Sequence, residues 1–340
     1  MSTISATTIA SATKHTKQLE PLRIGLFGLG VVGSGVWRVI REKRREFAER
    51  FGIDVSVEAV CIRDGAKDRD SDLPLDRLTT NPAAILDNDA IDIVIELIGG
   101  RYEAQAVIEA ALQKRKHVIT ANKLLLAHEL PRLRTLAERN GVNLHYSASV
   151  CGSIPVLRAL DDHRAGDEII GIRGIVNGST NFILTSMSTS GISYEESLVL
   201  AREKGFLEAD PTLDVSGQDA AQKLSVLIYH AFGEHIRPEA ITTTGIEEIT
   251  AQRIAEERAN GKVVKLIAEA SIRNEKVVAS VSPVAISREH LFAATNDEFN
   301  ALEITAKHAG PQILYGKGAG SFPTASAVIS DVVELLRERI

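Results

Sequence analysis

The sequence predicts an α/β protein: a Rossmann-type doubly wound parallel sheet followed by a second α+β catalytic and dimerisation domain. Three observations predict it. Short apolar strands alternate with helical stretches through the first half of the chain. A glycine-rich turn, Gly28-Leu-Gly30-Val-Val-Gly33, joins the first strand to the first helix. In the second half, strands separated by polar turns give the texture of an antiparallel or mixed sheet.

In chain order, LRIGLFG (22–28) is a nearly continuous apolar run, as in a strand buried on both faces. A helix follows from about Gly30 to Arg50. Its apolar residues Val32, Val36, Val39, Ile40, Phe47 and Phe51 recur mostly three and four apart, and REKRREFAER forms its solvated face. VSVEAVCI (55–62), IDIVIEL (91–97), KHVIT (116–120) and VNLHYS (142–147) read as further strands, linked by helices on YEAQAVIEAALQK and HELPRLRTLAERN. Pro131 is expected in a first helical turn, where a missing amide proton costs little. EIIGIRGIVNG (168–178) alternates as a strand and precedes helical segments near 180–189, 193–204 and 217–232. VVKLIAEASI (263–272), KVVASVSPVAI (276–286) and NALEITAK (300–307) read as strands, and TASAVISDVVELLRER (324–339) as the last helix. The expected division is a mobile leader (1–20), a dinucleotide-binding domain (21–150), a substrate-binding and oligomerisation domain (151–322) and a final helix (323–340) returning to the nucleotide domain. The main boundary falls within 147–167.

The 340 residues make about two domains' worth of chain at ~100–200 residues each. At 44% hydrophobic and 25% charged residues, collagen-like, disordered and membrane classes are excluded. A net charge of −6 argues against a general polyanion binder, so no nucleic acid or membrane partner is expected. Cys61 and Cys151 cannot build a four-thiolate zinc site or a disulfide framework, and they fit a reducing compartment. Residues 2–20 are rich in Ser, Thr and Ala, with Lys14, His15 and Lys17 and no continuous apolar core. They read as the leader of a cytoplasmic protein, with a Ser-rich transit peptide as the alternative.

The glycine turn predicts a dinucleotide site. One glycine permits the tight turn, one lets the backbone approach a pyrophosphate, and one lets helix and strand pack closely. The candidate contacts are Phe27, Gly28, Leu29, Gly30, Val31, Val32 and Gly33. Asp54, at the usual distance for a ribose-binding acid, falls at the wrong end of the second strand. Arg63 stands at the carboxyl end, with Asp64 beside it and Lys67 just beyond. A guanidinium there suits a 2′-phosphate, which predicts a preference for NADP(H) over NAD(H). Gly99 and Gly100, after IELIGGR's strand, suit close approach to a ribose or nicotinamide, and Asn122 and Lys123 follow the next strand.

Residues 204–223, KGFLEADPTLDVSGQDAAQK, hold the densest acid–base cluster. Glu208, Asp210 and Asp214 lie in a Pro-containing loop, and Asp219 and Lys223 occupy i and i+4 on one face of a helix. That helix is too apolar to lie freely on a surface. A partly buried lysine beside carboxylates can be tuned to give a proton.

Over about residues 22–339 the chain resembles the homoserine dehydrogenase family. The resemblance is carried by GLFGLGVVGSG (25–35), VITANK (118–123), SASVCGSIPVLRAL (147–160), IVNGSTNFIL (175–184), GFLEADPTLDVSGQDAAQKL (205–224) and GKGAGSFPTASAVISD (316–331). It implies NAD(P)-dependent interconversion of L-homoserine and L-aspartate 4-semialdehyde, on the route to threonine and methionine. It further implies Lys223 as acid/base at the aldehyde oxygen and Lys123 as a second lysine at the reacting centre. Glu208, Asp214 and Asp219 would hold the substrate ammonium and orient Lys223. Gly178 and Ser179 would line the substrate pocket, and Gly318 and Gly320 would be late cofactor contacts. Many members bind sodium with a glutamate and three backbone carbonyls; Val150, Gly152 and Ile154 match, but Ser147 stands where the glutamate would be. A homodimer or homotetramer is implied. The chain stops after the final helix, so threonine inhibition through a further regulatory domain is not expected.

Two rivals make other demands. A semialdehyde dehydrogenase would use Cys151 as nucleophile, with His145 or His163 as the base close in sequence. A non-catalytic dinucleotide sensor would need a DNA-binding or partner module. The remaining histidines read as structural or surface groups, since no HxxxH or His/Asp cluster has metal spacing.

Overall fold

The computed structural model describes residues 19–65, 72–207 and 210–338. The leader residues 1–18, Lys67 and Glu208 lie outside them.

The first half is built from β1 (Glu20–Phe27), α1 (Val31–Phe51), β2 (Ile53–Cys61), β3 (Leu78–Thr79), α2 (Ala83–Leu86), β4 (Ile93–Glu96), α3 (Tyr102–Gln113), β5 (His117–Thr120), α4 (Lys123–Asn140) and β6 (Leu144–His145). Its six strands are all parallel, in the order β3-β2-β1-β4-β5-β6. The strand order reverses between β1 and β4, so a crevice opens there beyond the carboxyl ends. All four residues of β4 are buried, because helices cover both faces of the sheet.

The second half comprises α5 (Val156–Gly166), β7 (Ile169–Ile175), α6 (Gly178–Ser190), α7 (Tyr194–Glu203), α8 (Thr212–Val215), α9 (Gln218–Phe232), β8 (Thr242–Thr243), α10 (Ala251–Ala259), β9 (Lys262–Arg273), β10 (Lys276–Ser287), β11 (Phe299–Ala306), β12 (Gly310–Lys317) and α11 (Ser321–Glu338). Its sheet runs β12-β11-β7-β9-β10-β8 and is mixed: every neighbouring pair is antiparallel except β10–β8. The core helix α9 buries Ala220, Leu224, Leu227 and Ile228 with residues of α5, α6 and β9. α11 packs instead on the parallel sheet, its Ala325, Val328 and Val332 sharing a core with Val36 and Ile40 of α1. Gly35 makes this crossing possible, since a Cβ there would stand 3.1 Å from that of Ala325.

Pro131 corrects one expectation. The helix starts at Lys123, capped by Asn122, so Pro131 lies in its interior rather than in a first turn. Proline there cannot donate to the Ala127 carbonyl four residues back, a defect costing ~3 kcal/mol in an isolated helix. The second domain repairs it: His235 Nε2 lies 2.9 Å from that carbonyl, and Ser225 Oγ of α9 stands 3.2 Å from it while sharing its single proton with the nearer Ile236 carbonyl at 2.5 Å. α5, α10 and β12 were not apparent in the sequence pattern. Only Ile254 of α10 is buried, and β12 is an edge strand interrupted by Gly and Pro.

Replacing His235 by Ala should therefore lower stability by ~1–3 kcal/mol. The cost should shrink in a Pro131→Ala background, where an amide N–H becomes available to the same carbonyl. A denaturation double-mutant cycle checks this, and strict additivity would contradict the assignment.

Candidate active site

The glycine turn has three physically different glycines. Gly28 adopts φ +97°, and a Cβ on it would come within 2.7 Å of the Leu97 carbonyl oxygen. A Cβ on Gly33 would stand 2.2 Å from the Gly28 carbonyl oxygen, so helix and strand could not close. Gly30 has nothing within 4 Å, which leaves its outer side open to a ligand. Gly30 also caps α1 without a side-chain hydrogen bond, and the first turn carries no acid. The positive helix end thus faces the opening without a protein anion, which fits a pyrophosphate.

Two further loops leave the same sheet edge. Gly99 and Gly100 have φ of +69° and +72° with open space about them. Glu96 holds this loop in place. Its Oε1 accepts from Ile98 N at 2.8 Å and Gly99 N at 3.2 Å, and its Oε2 from Thr120 Oγ1 at 2.5 Å. Asn122 Nδ2 donates to the Gly100 carbonyl at 2.6 Å, tying this loop to the next. Burial pushes the Glu96 carboxyl up from its ordinary value, although these donors oppose the shift. Glu96 was not singled out from sequence; a carboxylate closing an apolar parallel strand ahead of two glycines was its signal.

Arg63 is exposed just past β2, and its Nη2 lies 2.9 Å from Glu103 Oε2 at the start of α3. Asp54 is engaged elsewhere, paired with Arg44 through contacts of 2.6 and 2.7 Å.

The second domain brings its charges to Lys123. Lys223 Nζ lies 2.8 Å from Asp219 Oδ2 and donates to the Val176 carbonyl at 2.7 Å. Asp219 Oδ1 lies 3.2 Å from Lys123 Nζ, so one buried carboxylate is shared by two ammoniums from different domains. Asn177 Nδ2 donates to Asp219 Oδ2 and Asp214 Oδ1, both at 2.7 Å, while its Oδ1 caps α6 through Thr180 N. Burial works against charge on Asp219, but Lys223 and Lys123 outweigh it and hold the carboxyl well below the carboxylate range. Burial likewise opposes charge on Lys223, and Asp219 outweighs it, leaving that pKa above lysine's ordinary value. Asp214 goes the other way, pushed up mainly by burial. The bridging role of Asn177 escaped the sequence reading, because it depends on two residues about forty positions away.

Of the remaining candidates, Gly178 opens α6 so close to the Glu298 carbonyl oxygen that a Cβ would stand 2.8 Å from it. Ser179 Oγ donates to the Phe206 carbonyl at 2.7 Å. Gly318 abuts Asn300, and Gly152 packs against the Gly318 carbonyl, so backbone from 150–154 meets the glycine strand directly. Gly320 has φ +118°. Cys151 is buried, and burial pushes its thiol up to about 11, so it carries no nucleophilic thiolate at neutral pH. Ser147 offers its backbone N–H to Asp331 Oδ2 at 3.0 Å, and the Ile154 carbonyl accepts from Val156 N at 2.7 Å. A sodium ion at Val150, Gly152 and Ile154 would therefore meet neutral carbonyl oxygens without a carboxylate from position 147.

Two family models match the chain: "Homoserine dehydrogenase, NAD binding domain" over residues 28–147 and "Homoserine dehydrogenase" over residues 155–333. The Bacillus subtilis homoserine dehydrogenase is 40% identical over 319 residues, which cover 94% of this chain and 74% of that protein. A Thiobacillus denitrificans homoserine dehydrogenase structure aligns with a TM-score of 0.88 at 36% identity, covering 94% of this chain and 74% of its own. A hyperthermophilic archaeal homoserine dehydrogenase mutant in complex with NADPH aligns at TM-score 0.78 and 28% identity, covering 94% and 98%.

Removing the shared carboxylate should expose its role. Asp219→Asn leaves two ammoniums uncompensated and should cost ~3–5 kcal/mol of stability. The depressed Asp219 stabilises above its unfolded value of ~4 and loses this as pH falls through the folded value. The raised Lys223 stabilises below its unfolded value of ~10.4 and loses this as pH rises through the folded value. The wild-type advantage should thus shrink as pH falls below about 4 and shrink again at alkaline pH, starting below about 10 because Lys223 without Asp219 loses its proton earlier, as read by urea unfolding across pH.

Proposed function

This chain belongs to the homoserine dehydrogenase family, NAD(P)-dependent oxidoreductases of the aspartate pathway, and from that premise we propose that Lys223 is its acid/base. One observation carries the reading: Asp219 joins Lys223, at 2.8 Å, to Lys123, at 3.2 Å, at the edge of the nucleotide sheet. When bound, the dinucleotide supplies the hydride. The rest falls to side chains. As the aldehyde of L-aspartate 4-semialdehyde is reduced, negative charge grows on its oxygen, and a fixed ammonium stabilises and then protonates it. Lys223 suits that step because Asp219 keeps it charged. The reverse reaction asks Lys223 to take a proton from the homoserine hydroxyl, which the same carboxylate disfavours, so homoserine oxidation should gain from alkaline pH.

Lys123 adds a second positive charge beside the reacting oxygen. The α-ammonium of the substrate would lie against Asp214, whose buried charge it would offset, with Glu208 as its second partner. Gly178 and Ser179 line that pocket, Asn177 holds Asp214 and Asp219 in register, and Gly318 and Gly320 close on the cofactor. Residues 21–150 would bind the dinucleotide, 151–322 the substrate and a second copy of the chain, and 323–340 would buttress the nucleotide domain. A homodimer or homotetramer in the cytoplasm is part of the proposal. The open edge of β12 and the exposed Ile272 and Val278 support the first, the two free buried thiols the second. No helix among the described residues is long and apolar enough to cross a membrane.

NADP(H) is the proposed cofactor, held at its 2′-phosphate by Arg63 once the exposed Glu103 is displaced.

Lys223→Met should lower turnover by ~10²–10⁴-fold. Reduced-cofactor binding, followed by nicotinamide fluorescence, should stay near wild type; near-normal turnover would refute the role. For Arg63→Ala, kcat/KM with NADP should fall by ~10–100-fold while that with NAD changes little. Equal use of both cofactors, with a ratio indifferent to Arg63, would refute the NADP assignment.

A further inference from the structure

We propose that His145, Asp331 and Glu334 bind one divalent transition-metal cation, zinc foremost, where β6 meets α11. Among the described residues these three side chains converge, with one potential ligand atom from each lying within 4.8 Å of the others. No sequence spacing announces them. Asp331 and Glu334 are one helical turn apart on α11, and His145 is delivered by the last strand of the parallel sheet.

His145 is the member of the cluster left without a hydrogen-bond partner among the described residues, while Glu334 is half-exposed and free to turn toward a cation. His145 Nδ1 stands 3.8 Å from Glu334 Oε2, beyond hydrogen-bond range, and its buried Nε2 finds no hydrogen-bond partner among the described residues. Asp331 is 1% exposed, and burial pushes its carboxyl up to about 7 although hydrogen bonding from Ser147 opposes the shift. One Asp331 oxygen already accepts from Ser147 N at 3.0 Å, which ties the carboxylate to the Ser147 turn. His145 and Glu334 both line a cavity of about 370 Å³ that also touches Tyr146, Ser147, Asp161 and His230. That cavity can bring a water to the open coordination position.

The donor set selects the ion. One imidazole nitrogen and two carboxylate oxygens with an open fourth position suit zinc, whereas magnesium favours oxygen ligands and several retained waters. Bonds of ~2.0–2.2 Å would bring the ligand atoms to about 3.4 Å apart, a contraction that the half-exposed Glu334 can supply by rotating. This set differs from the backbone carbonyls of Val150, Gly152 and Ile154. It would fasten the sheet edge, α11 and the Ser147 turn to one another, so its effect is on stability and not on hydride transfer.

The test uses the full chain, stripped with chelator and titrated with zinc chloride by calorimetry, with cobalt as the spectroscopic substitute. Saturable one-to-one zinc binding, a raised thermal midpoint and visible cobalt ligand-field bands are expected, with magnesium producing none of these. His145→Gln and Glu334→Gln should each weaken zinc binding at least tenfold, with circular dichroism confirming the fold; ~10-fold is the lower end for disturbing even an outer metal partner. Glu334 is half-exposed, so its variant keeps the test valid should His145→Gln misfold. Absence of saturable zinc binding in the wild type, or wild-type affinity in folded Glu334→Gln, would overturn the proposal.

Discussion

One carboxylate governs the arrangement of this molecule. Asp219 is 6% exposed, and an acid so buried remains charged only because two ammoniums reach it. One comes from its own helix and the other from the carboxyl edge of the nucleotide sheet. The carboxylate that keeps Lys223 charged is thus also the one that Lys123 reaches from the other domain. Asn177 extends the constraint by spending both protons of its amide on Asp219 and Asp214. Truncating Asp219 would leave Lys223 buried without its counter-charge.

Backbone, more than side chains, shapes the nucleotide side. Gly28, Gly33, Gly152 and Gly318 all lie where an added Cβ would meet a neighbouring main chain or amide at under 3 Å. The glycine turn at 28–33, the 150–154 turn and the late glycine strand owe their closeness to missing methyl groups. Glu96 complements them by gathering the N–H groups of Ile98 and Gly99, so that a loop of left-handed glycines keeps one shape.

Much of this was legible beforehand, for reasons that are local. The strand-turn-helix at 22–51 announces itself through a continuous apolar run, three glycines and a three-to-four residue period. Asp219 and Lys223 declare a common face by their spacing alone. What was not legible depends on partners far along the chain. Asn177 looks like a simple helix cap until Asp214 and Asp219 arrive, and Glu96 looks like the polar end of a strand. Pro131 reads as a helix start because nothing nearby reveals that His235 and Ser225 will satisfy the orphaned carbonyl. β12 is hidden by its own glycine and proline, since an edge strand needs only half the hydrogen bonds of an inner one.

The seat of α11 bears on how the chain is made. Ser321 Oγ donates to the Val31 carbonyl at 2.7 Å across 290 residues, and Ala325 fills the hollow left by Gly35. The nucleotide-binding half thus leaves the ribosome with one flank bare, its apolar α1 face uncovered until the 290 residues leading to α11 have followed. At ~5–20 residues per second, that interval is roughly fifteen seconds to a minute. During it, chaperone engagement or premature self-association competes with native docking, and the nascent protein is most exposed to both.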